Sequence, residues 1–190
     1  MKLLMQSSMS SDHSRDTTPM KVYTLLREQQ IDRSLEEIFA FFSNPENLGR
    51  ITPSTLRFEM LTPSPLHVKD GSLLDYTIRI SGLPFRWTTL ITLFEPPNLF
   101  VDVQLRGPYG YWHHKHSFRK AEKGTVVRDE VRYALPFGIL GRIVHGVFVR
   151  RQLKAIFDYR AQALERIFAP RSKRSEYISS SSSNPGHGHK

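Results

Sequence analysis

Between Leu56 and Leu135 the chain passes through six extended segments in succession, and a single long amphipathic stretch is the one large element left to cover them. The segments are Leu56–Leu61, Ser72–Ile80, Phe85–Phe94, Leu99–Arg106, Tyr111–Lys120 and Thr125–Leu135. Asp70-Gly71, Gly82-Leu83-Pro84, Pro96-Pro97-Asn98, Gly107-Pro108-Tyr109-Gly110 and Lys123-Gly124 separate them, turn formers between β-branched and aromatic runs. That is the pattern of an antiparallel meander. Upstream, Val22–Ile31 reads as another strand. Ser34 then caps a helix over Leu35–Phe42, with Glu37 completing a capping box and Leu35, Ile38, Phe39 and Phe42 at buried spacing. Asn44-Pro45-Glu46-Asn47-Leu48 ends that helix and opens a second short helical turn before Pro53. A long helix is predicted from about Leu140 to Phe168. The expected class is therefore α+β: a curved antiparallel sheet wrapped around a long C-terminal helix, with two short helices after the first strand. A sheet wrapped around one helix leaves space between the two.

Residues 1–20 are rich in Ser, Thr and Asp without apolar periodicity and are expected to be disordered. Residues 169–190 form a basic, Ser-rich tail with the same expectation, which leaves one domain over 21–168. No stretch approaches the roughly 20 apolar residues that span a bilayer. Lys2-Leu3-Leu4-Met5 is too short for the apolar region of a secretory signal, so a cytoplasmic location is expected. With no cysteine, disulfides, thiolate metal sites and a cysteine nucleophile are excluded. The net charge of +9 invites nucleic acid as a partner, but the excess gathers in the tail and the last helix over a nearly neutral sheet. No nucleic-acid partner is expected.

Several short stretches now point to a family. Gly107-Pro108, Trp112-x-His114-x-His116-x-Phe118, Gly124-Thr125, Asp129-x-Val131-x-Tyr133, Leu135-Pro136-x-Gly138 and Phe157-x-Tyr159-Arg160 stand in the same order of elements. Over 21–168 the chain resembles the START/Bet v 1-like (SRPBCC) superfamily with its helix-grip fold, often labelled polyketide cyclase/dehydrase-like. It looks like a bacterial subgroup of small ligand-binding proteins also found fused to sugar-nucleotide epimerase-like domains. The resemblance implies the fold directly and the function broadly: lipid and quinone carriers, hormone receptors and aromatase/cyclases share it.

Strand side chains alternate faces, which sorts the polar residues of the sheet. Trp112, His114, His116 and Phe118 share one face of their strand, while the opposite face carries Tyr111, His113, Lys115, Ser117 and Arg119; the aromatic set belongs inside. On the next strand Thr125, Val127, Asp129, Val131 and Tyr133 share the inner face. A turn centred on Glu122-Lys123 sets His116 opposite Asp129, His114 opposite Val131 and Trp112 opposite Tyr133. A turn shifted by one position sets Phe118 opposite Asp129 instead. An inward His–Asp pair suits three roles: fixing a histidine tautomer so that the other nitrogen bonds a ligand, forming an acid/base pair, or a mutually satisfied structural contact. As metal ligands, His114 and His116 lack an evident third partner beyond Asp129, so neither metal nor cofactor is expected. Asp102, Gln104 and Arg106 alternate with Val101, Val103 and Leu105. Composition favours the valines inside, whereas pairing across Pro96-Pro97-Asn98 sets Asp102 opposite Ile91 and Gln104 opposite Thr89.

On the last helix Val149, Leu153, Ile156, Phe157, Leu164, Ile167 and Phe168 form one apolar stripe, with Gly146 on it. Arg160 falls inside the stripe, about 20° from Leu153 at 100° per residue. A guanidinium there needs a protein carboxylate such as Asp129 or Asp102, or an acidic or carbonyl group of a ligand. Val144, Phe148 and Tyr159 lie on the other side beside Arg151, Gln162 and Arg166. That face suits peripheral membrane contact, a homodimer contact or cover by a loop. The expected function is to bind a hydrophobic small molecule (lipid, quinone or polyketide-like), as carrier or sensor, through Tyr76, Trp87, Trp112, His114, His116, Phe118, Asp129, Tyr133 and Arg160. The alternatives are a cyclase/dehydratase-type enzyme with His116 and Asp129 as its acid/base pair, or a regulatory interaction domain whose interior is filled.

Overall fold

A computed structural model of the chain describes residues 20–136 and 145–169. The expected disorder of 1–20 and 169–190 falls almost wholly outside the described residues, as does the predicted helical stretch over 140–144. Strand β1 (Tyr23–Ile31) leads into α1 (Leu35–Phe42) and two 3-10 turns, Pro45–Ile51 and Ser54–Leu56. Six further strands follow: β2 (Glu59–Met60), β3 (Leu73–Ile80), β4 (Leu83–Glu95), β5 (Leu99–Arg106), β6 (Tyr111–Lys120) and β7 (Thr125–Ala134). A π-helical turn, His145–Val149, then runs into α2, Arg150–Phe168. All strand pairs are antiparallel in one seven-stranded sheet, order β1-β7-β6-β5-β4-β3-β2. This is the expected α+β helix-grip plan.

Local chemistry accounts for the joints. Ser34 Oγ accepts from the Glu37 amide at 3.2 Å, half of the capping box. The Glu37 carboxylate turns instead to Arg33 Nε at 3.5 Å. The β3–β4 hairpin turns on Ser81 (φ 51°) and Gly82 (φ 82°), two left-handed residues that match the strand twist, so Leu83 and Pro84 belong to β4 rather than to a loop. At the β6–β7 turn Gly124 has φ 76°, and a Cβ there would sit 2.0 Å from the Ile31 carbonyl oxygen. No other residue fits that approach. The strand expected over Leu56–Leu61 shrinks to Glu59–Met60, because Leu56 closes a 3-10 turn and Arg57 takes a left-handed conformation (φ 44°).

Two apolar clusters fix α2 over the sheet. One joins Ile38, Phe39 and Phe41 of α1 to Phe100, Phe118, Val127, Ala163 and Leu164. The other joins Trp87, Trp112, Val131 and Tyr133 to Val149, Leu153 and Phe157. Burying one such side chain contributes about 1.5–3 kcal/mol. Polar ties at the edge set the helix position: Gln29 Nε2 donates to the Ala161 carbonyl at 3.0 Å, and Arg27 pairs with Asp158 at 3.4 Å. The helix departs from expectation at two points. Tyr159 is half-buried against the first cluster, with the Arg166 guanidinium 5.6 Å from its ring centre, rather than standing free beside Phe148. Gly146 is exposed and has open space where a Cβ would be, so it neither admits the sheet nor widens the interior.

Candidate functional site

The β6–β7 register is the one centred on Glu122-Lys123: His116 faces Asp129, His114 faces Val131 and Trp112 faces Tyr133. On the other side of β6, Asp102 of β5 lies opposite His114. The two histidines therefore stand on the middle strand with a carboxylate on each neighbour, and all four residues are largely buried. His114 Nε2 is 3.1 Å from Asp129 Oδ1, and its Nδ1 is 3.5 Å from Asp102 Oδ2. His116 Nε2 is 3.1 Å from the same Asp102 Oδ2. Its Nδ1 lies 2.6 Å from Asp129 Oδ1, an ion contact outside hydrogen-bond alignment. The imidazole centres are 3.8 Å apart. From α2, Arg160 reaches in over the Phe157 ring, its Nη1 3.7 Å from Asp129 Oδ2.

Burial alone would raise both carboxyl pKa values. For Asp129 the His116 charge and contacts with both histidines outweigh burial and hold the carboxyl well below the usual range. For Asp102, the His114 charge and the His116 contact act likewise and lower it. Burial pulls His116 down too, but the Asp129 charge and its carboxylate contacts leave it above the ordinary histidine value. Burial and the neighbouring His116 keep His114 below it. The two carboxylates thus favour a proton on His116 over one on His114.

Asp102, His114, His116 and Arg160 form the polar end of a partly open cavity of about 170 Å³ between sheet and helix. Cavities of about 150 Å³ take up a single aromatic ring. The rest of the wall is mostly aliphatic and aromatic, including Tyr76, Trp87, Trp112, Ile91 and Phe157, with the neutral polar Ser43, Asn44, Asn47, Thr52 and Thr89 among them. The interior is therefore not filled by side chains. Tyr76 Oη lies 3.3 Å from Thr89 Oγ1, and burial pushes its phenol pKa up. Buried donors on Trp87 Nε1, Arg160 Nε and Arg160 Nη1 have no hydrogen-bond acceptor among the described residues.

Six of the nine residues expected to bind ligand line this cavity: Tyr76, Trp87, Trp112, His114, His116 and Arg160. Three do not. Phe118 is 3% exposed and packs edge-on against Phe39 and Phe42 of α1, which close that end. Tyr133 is held between Tyr23 and Tyr109. Asp129 stands behind the histidines rather than at the surface of the cavity. The valines of β5 do not face inward as composition favours; Asp102 does, opposite Ile91. Gln104 pairs with Thr89 as expected but is spent on the next loop, donating to the Tyr109 carbonyl at 2.8 Å and accepting from the Tyr109 amide. That clamp sets Tyr109 between Trp87 and Trp112, a wall residue that strand alternation cannot reveal because it lies in a turn. Arg106 is exposed.

Fold and site together define a helix-grip protein with a mostly apolar cavity closed at one end by a charged cluster. The chain belongs to the family described as polyketide cyclase/dehydrase and lipid transport, whose model matches residues 31–157. No curated protein matches it in sequence. Among solved structures it is similar to TTHA0849 from Thermus thermophilus, at 15% identity and TM-score 0.62, covering 85% of this chain and all of that one. It is also similar to the di-domain ARO/CYC StfQ of the steffimycin biosynthetic pathway, at 14% identity and TM-score 0.60, covering 82% of this chain and 52% of StfQ. Ginseng (Panax ginseng) major latex-like protein 151 aligns at 12% identity and TM-score 0.59, over 78% of this chain and 99% of that protein. These likenesses establish the fold. No helix among the described residues is long and apolar enough to cross a membrane.

Proposed function

We propose that the protein binds one hydrophobic small molecule, a lipid, quinone or polyketide-like compound, in the cavity between sheet and α2, as a carrier or sensor. One observation carries the reading: a mostly aromatic and aliphatic wall includes residues with buried donors, Trp87 Nε1 and, at the polar end, two nitrogens of Arg160, that have no hydrogen-bond partner among the described residues. A ligand with an apolar body and a carbonyl, phenol or carboxylate head satisfies both halves. The exposed Phe148, beside Arg151, would let such a protein load from an anionic membrane surface.

Trp87 and Trp112 are the chain's two tryptophans, and both line the cavity. Titration with oleate and, separately, with a short-chain benzoquinone should change their fluorescence saturably at one equivalent for at least one probe. Fluorescence that moves only in proportion to probe concentration, with no saturation for either, contradicts the proposal. One contact favours the cyclase-type reading as a second possibility: His116 lines the cavity with the Asp129 carboxylate 2.6 Å from its Nδ1, so the two groups of an acid/base pair are in contact. A bound compound recovered unchanged after prolonged incubation counts against that second reading and leaves the first intact.

A further inference from the structure

We propose that Asp102, His114 and His116 hold a divalent transition-metal ion at the polar end of the cavity. The starting observation is how the two imidazoles share their acceptors. Both direct one nitrogen at a single oxygen of Asp129 (Oδ1) and the other nitrogen at a single oxygen of Asp102 (Oδ2). With His114 Nε2 hydrogen-bonded to Asp129, its Nδ1 presents a lone pair to Asp102 Oδ2, the oxygen that His116 Nε2 also bonds. A lone pair facing an anion repels it unless a cation stands between them, and a metal ion there takes the place of the proton that His116 Nε2 shares with Asp102.

The spacing suits a metal ion. Zinc lies about 2.0–2.2 Å from histidine nitrogen and carboxylate oxygen, so neighbouring donors on one ion are about 2.9–3.5 Å apart. His116 Nε2 to Asp102 Oδ2 is 3.1 Å and His114 Nδ1 to Asp102 Oδ2 is 3.5 Å. All three ligand atoms lie within 4.8 Å of one another. Two histidines and one carboxylate are the donor set of open metal sites, both zinc and non-haem iron. Behind them Asp129 takes the place of the carboxylate that commonly orients metal-bound histidines, and Arg160 balances its charge. The sheet builds this by register: Asp102 sits opposite His114 on β5, and Asp129 opposite His116 on β7. Since all three donors line the cavity, an ion among them faces whatever enters it. Metal uptake is read on the ligand-free protein, so its success or failure is separate from that of the small-molecule proposal.

The test is equilibrium dialysis and calorimetry of the full chain with Zn²⁺ alone, repeated with Co²⁺ so that its visible absorption reports the donor geometry. The tail carries His187 and His189, so a His187→Ala/His189→Ala variant is measured alongside. One Zn²⁺ per chain is expected, unchanged in the tail variant. Asp129→Asn should weaken it about 10–100-fold, Asp102→Asn at least as much, and His114→Ala/His116→Ala should abolish it. Asp102→Asn is nearly isosteric and keeps the test decisive if the double histidine variant fails to fold. No Zn²⁺ on the wild-type chain, equal affinity in wild type and Asp102→Asn, or loss of binding on changing the tail alone each overturns the proposal.

Discussion

Asp129→Ala is expected to lower the unfolding free energy by about 3–5 kcal/mol, measured by urea denaturation at neutral pH. Asp129 is the carboxylate that faces Arg160, whose side chain is 12% exposed, and it contacts both His114 and His116. Removing it leaves the Arg160 guanidinium without its carboxylate in a low-dielectric interior, and the desolvation of an uncompensated charge is what dominates the loss. The exposed pair of Arg119 and Glu28 supplies the contrast, because water already screens both groups. Glu28→Ala should change stability by no more than about 1 kcal/mol. Equal effects of the two substitutions would show that Asp129 is not the counter-charge on which the cluster rests.

The second large effect concerns the ligand. His116→Ala and Arg160→Ala should each weaken binding of whichever probe saturates the tryptophan signal by about tenfold or more, the range for a lost hydrogen bond to a charged group. His113→Ala should leave it within about twofold. His113 neighbours both histidines of the cluster in sequence, but it stands on the other face of β6, paired with Arg132 and Val103. The three variants thus compare facing rather than residue type, and equal affinity for all of them refutes the cavity geometry. An Arg160→Ala result far larger than that of His116→Ala would point to an acidic head group on the ligand.

How much of this is legible in the chain differs between strands. Turn chemistry narrows the β6–β7 pairing to two neighbouring registers, and the structure, with Gly124 at φ 76°, takes the one centred on Glu122-Lys123. That register carries the His116–Asp129 pairing. The β4–β5 pair shows the limit. The Glu95–Leu99 end of that hairpin sits one position out of step with the stretch from Thr89 to Ile91, and an irregularity between Ile91 and Leu93 absorbs the difference. The pairing of Asp102 with Ile91 depends on that extra residue, and no residue at Thr92 announces it. Counting back across Pro96-Pro97-Asn98 also sets Asp102 opposite Ile91, whereas composition points to Val101 and Val103, so the sequence leaves the face of Asp102 open between the two.

Alternation also gives a face but not a depth. Phe118, Tyr133 and Asp129 all lie on the inner face, yet α1 closes over Phe118, Tyr109 covers Tyr133 and the two imidazoles screen Asp129. Which inner residues meet the cavity is set by what packs across the sheet, and that is decided by elements distant in sequence. Arg160 is the opposite case. A charged residue inside an apolar helical stripe must find a partner or a ligand, and it has Asp129 on one side and the cavity on the other.

Whether the space between sheet and α2 is a binding site for a small hydrophobic molecule can be read from the protein as cells make it. Native mass spectrometry of the full chain purified from those cells, with organic extraction to recover what is bound, gives the answer. The expected spectrum shows a population heavier than the bare chain by one small molecule, released on extraction and rebinding one to one. The bare mass throughout, with no uptake of fatty acid or quinone afterwards, would contradict a binding role for the cavity.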